Sequence, residues 1–465
     1  MNASRYTTND MDNIWDDGQR YSLMLQVWAM VALCQSKHYA GISDLSFVTT
    51  AEALLEYNDE WFDLGLDALV RAVRTHEREV GHEVEALRQL AQGAVHRLVE
   101  KDGGSMPHDL VHLDMTSSDV VDLVDSVRIA QTVTEIRHLL RRVVRMMARQ
   151  VAATKDYPCR GYTHMQVAEP ITQGFRLMGH MVEFQGIFLD LEKFKVQAKS
   201  VRGAVGTSHV QRRFIRREVD LSSTLFERDV LASVCDHMRI PPTVMELAKH
   251  ATQTAPRHNE YALLALIDRV AAAIHRLAIT ARFLYSEGEW WDESGVVGSS
   301  AMPHKHNPAT WEQLSSLSQL VHSLCTGAWG ITADQIDMRT LDDSAQRRVV
   351  WQQVSSITAY MLDSLNNAVT ALKMKYDSDV FNDSRVWSST ILSYALRTRH
   401  SDRTTLHHTI GELVKNYPIM QSLRHVIASR WPDSLNVNGA FNERHVIEPC
   451  VLACIRAIEE VNANV

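Results

Sequence analysis

VTEIRHLLRRVVRMMARQV, residues 133–151, decides the fold class. Its apolar side chains recur at Val133, Ile136, Leu140, Val143, Met147 and Val151, in steps of three and four that put them on one stripe of an α-helix. Arg137, Arg141, Arg142, Arg145 and Arg149 occupy other positions, so the stripe is a seam suited to a bundle. Residues 263–284 and 311–324 read the same way, and period-two alternation bounded by turn residues is absent. The expected fold is all-α. Eleven prolines and twenty glycines in 465 residues leave room for long helices, because proline breaks a helix and interior glycine weakens it.

A chain of this length exceeds one compact core. Residues 1–110 read as shorter helices ending at the Gly103-Gly104 break, and residues 111–366 hold the longest helices. Residues 367–465 read as shorter helices separated by turns at Pro418 and Trp431-Pro432. The expectation is thus an N-terminal helical domain, a long central helical bundle and a C-terminal helical domain.

The formal net charge of −8 argues against nucleic-acid binding through a basic face. An anionic substrate must then be met by a few local arginines. Six scattered cysteines form no CxxC pair and read as free thiols of a reducing compartment. The polar, acidic stretch from Met1 to Asp17 is no secretory signal. The most apolar long stretch, Tyr261 to Tyr285, carries Asp268, Arg269, His275, Arg276 and Arg282, too many charges for a membrane span. A cytoplasmic protein is expected.

GxxxxGK[ST], GxGxxG and HExxH are all missing. His76-Glu77 and His82-Glu83 are six residues apart, so the two histidines do not share a helix face as zinc ligands. Gly203-Ala204-Val205-Gly206-Thr207 has the flavour of a phosphate loop but lacks the following lysine, and reads better as a turn. No metal or cofactor is implied.

Four segments carry chemistry. GSSAMPHKHNP, residues 298–308, sets two hydroxyls, a cation and an amide in a small-residue loop, which suits a carboxylate. MTSSDVVD, residues 115–122, follows His112; Thr-Ser-Ser-Asp before an apolar run is also a plain helix cap. GYTHMQ, residues 161–166, holds a histidine that by itself would read as structural. RTLDDSAQRR, residues 339–348, is by itself a helix start with acids first and arginines later.

Together these strings resemble the fumarase/aspartase superfamily, whose signature loop runs GSSxMPxKxNP. Within it they resemble the adenylosuccinate lyase branch, with its TSSDVVD, Thr-His-x-Gln and RTLDDSANRR elements. The similarity runs from Arg5 to about Phe441 and weakens in the tail. The resemblance implies an all-helical three-domain fold around a central bundle, assembled as a homotetramer with active sites shared between chains. It implies anti β-elimination of fumarate from an N-succinylated nucleotide, without cofactor.

The site residues carry over in the same way. Ser299 would take the Cβ proton and His164 would protonate the departing nitrogen. Glu312, four positions after Pro308, would pair with His164; a carboxylate on one imidazole nitrogen fixes the tautomer and favours the charged ring. Ser300, Lys305 and Asn307 would stabilise the aci-carboxylate, and Thr116 and Ser117 would hold a substrate carboxylate. Gln253, in the Thr252-Gln253-Thr254 segment with Arg257, and His82 would contact substrate, with His112 in support. Arg5, Tyr6, Arg339, Ser344 and Arg348 would meet phosphate and carboxylate, for which arginine is the natural bidentate partner.

Four positions depart from the branch. Gly81 and Glu83 stand where Arg-His-Asp is usual, removing one nucleotide contact. His306 replaces an arginine, and Asp114 stands where bacterial relatives often have glycine. These changes leave the elimination chemistry in place and open the leaving group, so another N-succinylated amine or nucleoside is the alternative substrate. An inactive structural descendant is the alternative from a different class.

Overall fold

The computed structural model describes residues 5–101, 103–104, 108–215, 222–292, 302, 307–336, 338–398, 402–430 and 441–465. The fold is mostly helical. Helices α1 (Asn9–Trp15), α2 (Asp17–His38), α3 (Asp44–Leu64), α4 (Leu66–Val80) and α5 (Glu83–Lys101) lead into the long α6 (Ser117–Thr154). There follow α7 (Gln173–Lys193), α8 (His209–Phe214), α9 (Ser222–His237), α10 (Arg257–Ser286), α11 (Ala309–Gly327), α12 (Gly330–Ala333) and α13 (Ser344–Ala371). The chain closes with α14 (Ser388–Thr398), α15 (Arg403–Asn416), α16 (Met420–Arg430) and α17 (Glu443–Asn464).

The stripe of residues 133–151 lies in α6, and Ile136, Leu140, Val143, Met147 and Val151 are all wholly buried. Full burial of each such side chain contributes roughly 1.5–3 kcal/mol. The helix runs 38 residues, because neither glycine nor proline interrupts it. The other two periodic stretches fall in α10 and α11. Arg137, which the pattern placed outside the stripe, is itself buried. Its guanidinium donates to the carbonyls of Leu191, Glu192 and Phe194, satisfying the open C-terminus of α7.

Short strands are also present among the described residues, in three two-stranded sheets that the periodicity did not announce. β1 (Pro158–Thr163) pairs antiparallel with β2 (Gln166–Thr172), β3 (Val196–Ala198) parallel with β4 (Met245–Leu247), and β5 (Trp290–Asp292) antiparallel with β6 (Leu372–Met374). Four of the six are only three residues long, too short for an alternation to declare itself.

Two compact units organise the chain. The first comprises residues 1–138, 190–271 and 319–361; the second comprises residues 139–189, 272–318 and 362–465. Toward the end of the second unit, Val380, Trp387, Ile391, Leu423 and Ile427 form a separate apolar cluster. The Trp431-Pro432 turn lies outside the described residues.

Candidate active site

In the first unit the N-terminus of α6 is built around one buried carboxylate. Thr116 caps the helix, and Asp119 reaches back to accept its backbone N–H at 3.0 Å, one half of a capping box. Asp119 also accepts the backbone N–H groups of Arg202 and Gly203, at 3.1 and 3.0 Å. Lys199 Nζ stands 2.8 Å away, and both charged side chains are fully shielded from solvent. The same ammonium donates to Ser118 Oγ at 3.2 Å and to the Gln253 carbonyl at 2.6 Å. Three segments far apart in sequence are thereby tied together. Breaking such a buried pair typically costs about 3–5 kcal/mol, because the remaining charge is left uncompensated.

The tie presents several polar groups. Gln253 Oε1 accepts the backbone N–H of Arg339 at 2.7 Å. The Thr116 hydroxyl has no protein partner among the described residues. Ser117 Oγ lies 3.5 Å from His82 Nε2. His82 Nδ1 accepts the backbone N–H of Glu85 at 3.2 Å, capping α5, which assigns the proton of the neutral ring to Nε2. His112 is fixed in the same sense: Trp28 Nε1 donates to its Nδ1 at 3.0 Å, and burial pulls its pKa down to about 4. Both rings are thereby set to offer Nε2–H.

Three residues past Asp119 on α6, Asp122 enters a buried ion network. Arg257 donates to Asp343 at 2.7 Å, Asp122 at 2.8 Å and Glu260 at 3.1 Å. Arg347 pairs with Glu260 at 2.8 Å and Asp125 at 3.3 Å, and the Trp351 indole donates to Glu260 at 2.9 Å. Burial opposes the charge on Asp122 and Glu260, but Arg257 and Arg347 outweigh it and hold both carboxyls below their usual range. Asp343 belongs to the RTLDDSAQRR segment, so this network anchors Arg339 and Ser344, the first residue of α13. Adjacent arginines part company here: Arg347 is buried in the network, whereas Arg348 is exposed.

Arg348 Nη2 meets Glu83 Oε2 at 2.6 Å, while Glu83 Oε1 accepts Arg20 at 2.6 Å and the Tyr21 hydroxyl at 2.9 Å. Burial pushes the Glu83 carboxyl up, but Arg20 first and Arg348 second pull it down, to about 2. Glu83 thus keeps an acid where the branch has aspartate. Gly81 has a backbone reason for being glycine: it ends α4 at φ 78°, where a side chain is strained. Asp114 also stands at positive φ, 58°, a conformation that glycine adopts freely and aspartate tolerates. Residues 203–207 do turn, with the Gly206 N–H donating to the Gly203 carbonyl at 3.2 Å, and a Cβ at Gly206 would lie 2.2 Å from the Thr252 carbonyl oxygen. Tyr6 packs edge-on against Tyr360 with centroids 5.4 Å apart, and Arg5 lies 6.0 Å from the Tyr6 ring. Neither is bonded to Arg339 or Arg348.

In the second unit, His164 and Met165 form the two-residue tip of the β1–β2 hairpin, with Thr163 paired to Gln166. Both have positive φ, 50° and 61°, the requirement of a type I′ turn normally met by Asn-Gly. A histidine in that conformation is strained, and such strain clusters at functional sites. Its side chain is exposed. Glu312 is exposed in the first turn of α11. Within one chain no hydrogen bond or ion pair joins it to His164, so the expected pair is not formed there. Ser299, Ser300 and Lys305 lie outside the described residues, as does His306; Asn307 is described and exposed.

Arg20, Tyr21, Lys199 and Glu260 were not singled out by sequence. A lone lysine or arginine amid helical sequence gives no hint that folding will bury it against a carboxylate. Among the described residues no group of three or more His, Cys, Asp or Glu could hold a metal ion, and no helix is long and apolar enough to cross a membrane. All six cysteines are free, five of them buried.

Comparison with known proteins adds names to this geometry. A family profile described as Lyase matches residues 4–322. The adenylosuccinate lyase of Methanocaldococcus jannaschii is 26% identical over 388 residues, covering 80% of this chain and 75% of the relative. That of Saccharomyces cerevisiae is 26% identical over 377 residues, covering 80% and 72%. Among solved structures, the 3-carboxy-cis,cis-muconate lactonizing enzyme of Pseudomonas putida aligns with TM-score 0.75 at 17% identity, over 98% of both chains. A fumarate lyase from a Mesorhizobium species aligns with TM-score 0.74 at 14% identity, over 99% of both. The fold is therefore shared by proteins named for different reactions.

Proposed function

The chain belongs to the lyase family of the fumarase/aspartase superfamily, and from that premise we propose that it is a C–N lyase of the adenylosuccinate lyase type. It would eliminate fumarate from adenylosuccinate and from the succinyl-aminoimidazole carboxamide ribotide of purine nucleotide synthesis. The observation that carries the reading is the gathering of Thr116, Ser117, His82, Gln253 and Arg339 on one buried scaffold in the first unit. A free hydroxyl, a hydroxyl beside an imidazole N–H, an amide and a guanidinium suit an oxyanion-rich substrate. The names of the curated relatives point the same way.

The reaction balances without a cofactor. Ser299, as alkoxide, takes the Cβ proton; the C–H electron pair becomes the C=C bond as the Cα–N bond breaks. His164 gives its proton to the departing nitrogen, so the products are fumarate and a free amine. A serine hydroxyl is a weak base, and the donors around it must favour the alkoxide. Ser300, Lys305 and Asn307 hold the extra charge on the carboxylate. The family resemblance carries with it a homotetramer whose sites draw on more than one chain, in which Glu312 would meet His164 across subunits.

A second reading has its own support. Gly81 offers no cation, and Arg348 already shares Glu83 with Arg20. An N-succinylated amine or nucleoside without phosphate is the substrate in that case. Turnover of adenylosuccinate against dephosphorylated succinyladenosine separates the two. Loss of one charge-assisted phosphate contact lowers kcat/KM about tenfold or more. Equal turnover of both would replace the first reading by the second.

A further inference from the structure

The His164 hairpin is held from behind by a buried carboxylate that the mechanism leaves without a task. Helix α10 ends in a Schellman motif: Gly288, at φ 67°, donates to the Tyr285 carbonyl at 3.2 Å, and Glu289 N–H donates to that of Leu284 at 2.9 Å. This sharp stop turns the Glu289 side chain inward, where it is 2% exposed. Its carboxylate accepts the Tyr162 hydroxyl at 2.7 Å, the Gln173 amide at 3.4 Å and the Arg176 guanidinium. Arg176 also donates to the carbonyl of Arg160 on the same strand and to Gln173 Oε1 at 3.1 Å. Trp290 Nε1 closes the set, donating to Gln173 Oε1 at 2.8 Å.

The contacts fall on β1 at Arg160 and Tyr162, the latter two residues before His164. Between them β1 bulges at Gly161, where a Cβ would lie 2.4 Å from the Glu169 carbonyl oxygen, so the two strands approach too closely for any side chain. The Tyr162 ring packs edge-on against Phe283 with centroids 5.1 Å apart, and the Arg176 guanidinium lies 5.7 Å from its centroid. The strand is thereby fixed along its length, while the turn that ends it is strained and exposed. A strained tip keeps its conformation only when its surroundings over-determine it.

We propose that Glu289, acting through Tyr162 and Arg176, is a positioning residue that holds the β1–β2 hairpin so that His164 meets the departing nitrogen. The inference rests on His164 being the proton donor. A full ångström of misplacement can cost about a hundredfold in rate. Removing one of several anchors should cost less.

Tyr162→Phe tests this gently, since it deletes one hydroxyl and leaves the Arg176–Glu289 pair intact. On the substrate that the wild-type protein turns over, kcat should fall about tenfold with KM unchanged and the thermal midpoint nearly preserved. In a His164→Ala background the same change should cost nothing further, because Tyr162 acts through His164. Glu289→Gln, which also removes the counter-charge of the buried Arg176 guanidinium, should lower kcat more and lose stability as well. Equal losses from Tyr162→Phe in both backgrounds, an unchanged kcat, or a raised KM at constant kcat would each overturn the proposal. If the wild-type protein releases no fumarate from any N-succinylated amine, the functional reading fails first and the proposal falls with it.

Discussion

His112 and His82 share a device: a hydrogen bond accepted at Nδ1 commits each neutral ring to donate from Nε2. For His112 the commitment is deep, because burial holds its pKa at about 4 despite the nearby Asp119 carboxylate. The sign follows. A histidine whose folded pKa is depressed contributes stability in full above its unfolded value, near 6.5. That contribution is lost as pH falls from there toward 4. The ring resonances of His112 should therefore stay fixed from pH 5 upward in an NMR titration; a midpoint near 6.5 would show that the ring is not held neutral. MTSSDVVD was legible as a segment, and its bland capping reading also proved right for Asp119. The donor Trp28 was not, because it lies 84 residues away in sequence and nothing local marks the contact.

At the scale of elements, the ends of helices explain what the patterns left unexplained. The stripe of residues 133–151 disclosed α6 because a long periodic run survives tertiary packing. The β1–β2 hairpin stayed hidden, since Thr-His-Met-Gln contains neither the glycine nor the asparagine that announces a type I′ turn. Gly81 looked like a lost arginine and is also the left-handed stop of α4. Gly81→Ala should therefore destabilise the protein by about 1 kcal/mol, the strain of a side chain in that conformation. A Cβ there meets nothing within 4 Å, so no clash adds to it. A denaturant midpoint unchanged within error would mean that α4 can end another way.

For the whole molecule, both compact units carry parts of the proposed chemistry: Thr116, Ser117, His82, Gln253 and Arg339 lie in the first, while His164, Asn307 and Glu312 belong to the second. His164 and Glu312 are not bonded to each other within a chain, and the proposal that sites are shared between chains has its own test. Ser299→Ala and His164→Ala proteins, each inactive alone, should then regain activity when mixed under conditions of subunit exchange. Random exchange leaves about a quarter of sites intact if the two residues come from different chains. Sedimentation should first show a tetramer. Exchanged hybrids without activity would put both residues in one chain's site. The expectation of assembly rests on the family resemblance alone, because burial in a bundle and burial between chains leave the same stripe.

Fumarate release from adenylosuccinate tests the central claim most directly. The wild-type protein should form fumarate and AMP in equal amounts. Ser299→Ala and His164→Ala should each lower kcat by roughly 10²–10⁴-fold while remaining folded, the range for losing a positioned base or acid. A folded wild-type protein that yields no fumarate, or a Ser299→Ala variant keeping more than about half its activity, would contradict the account.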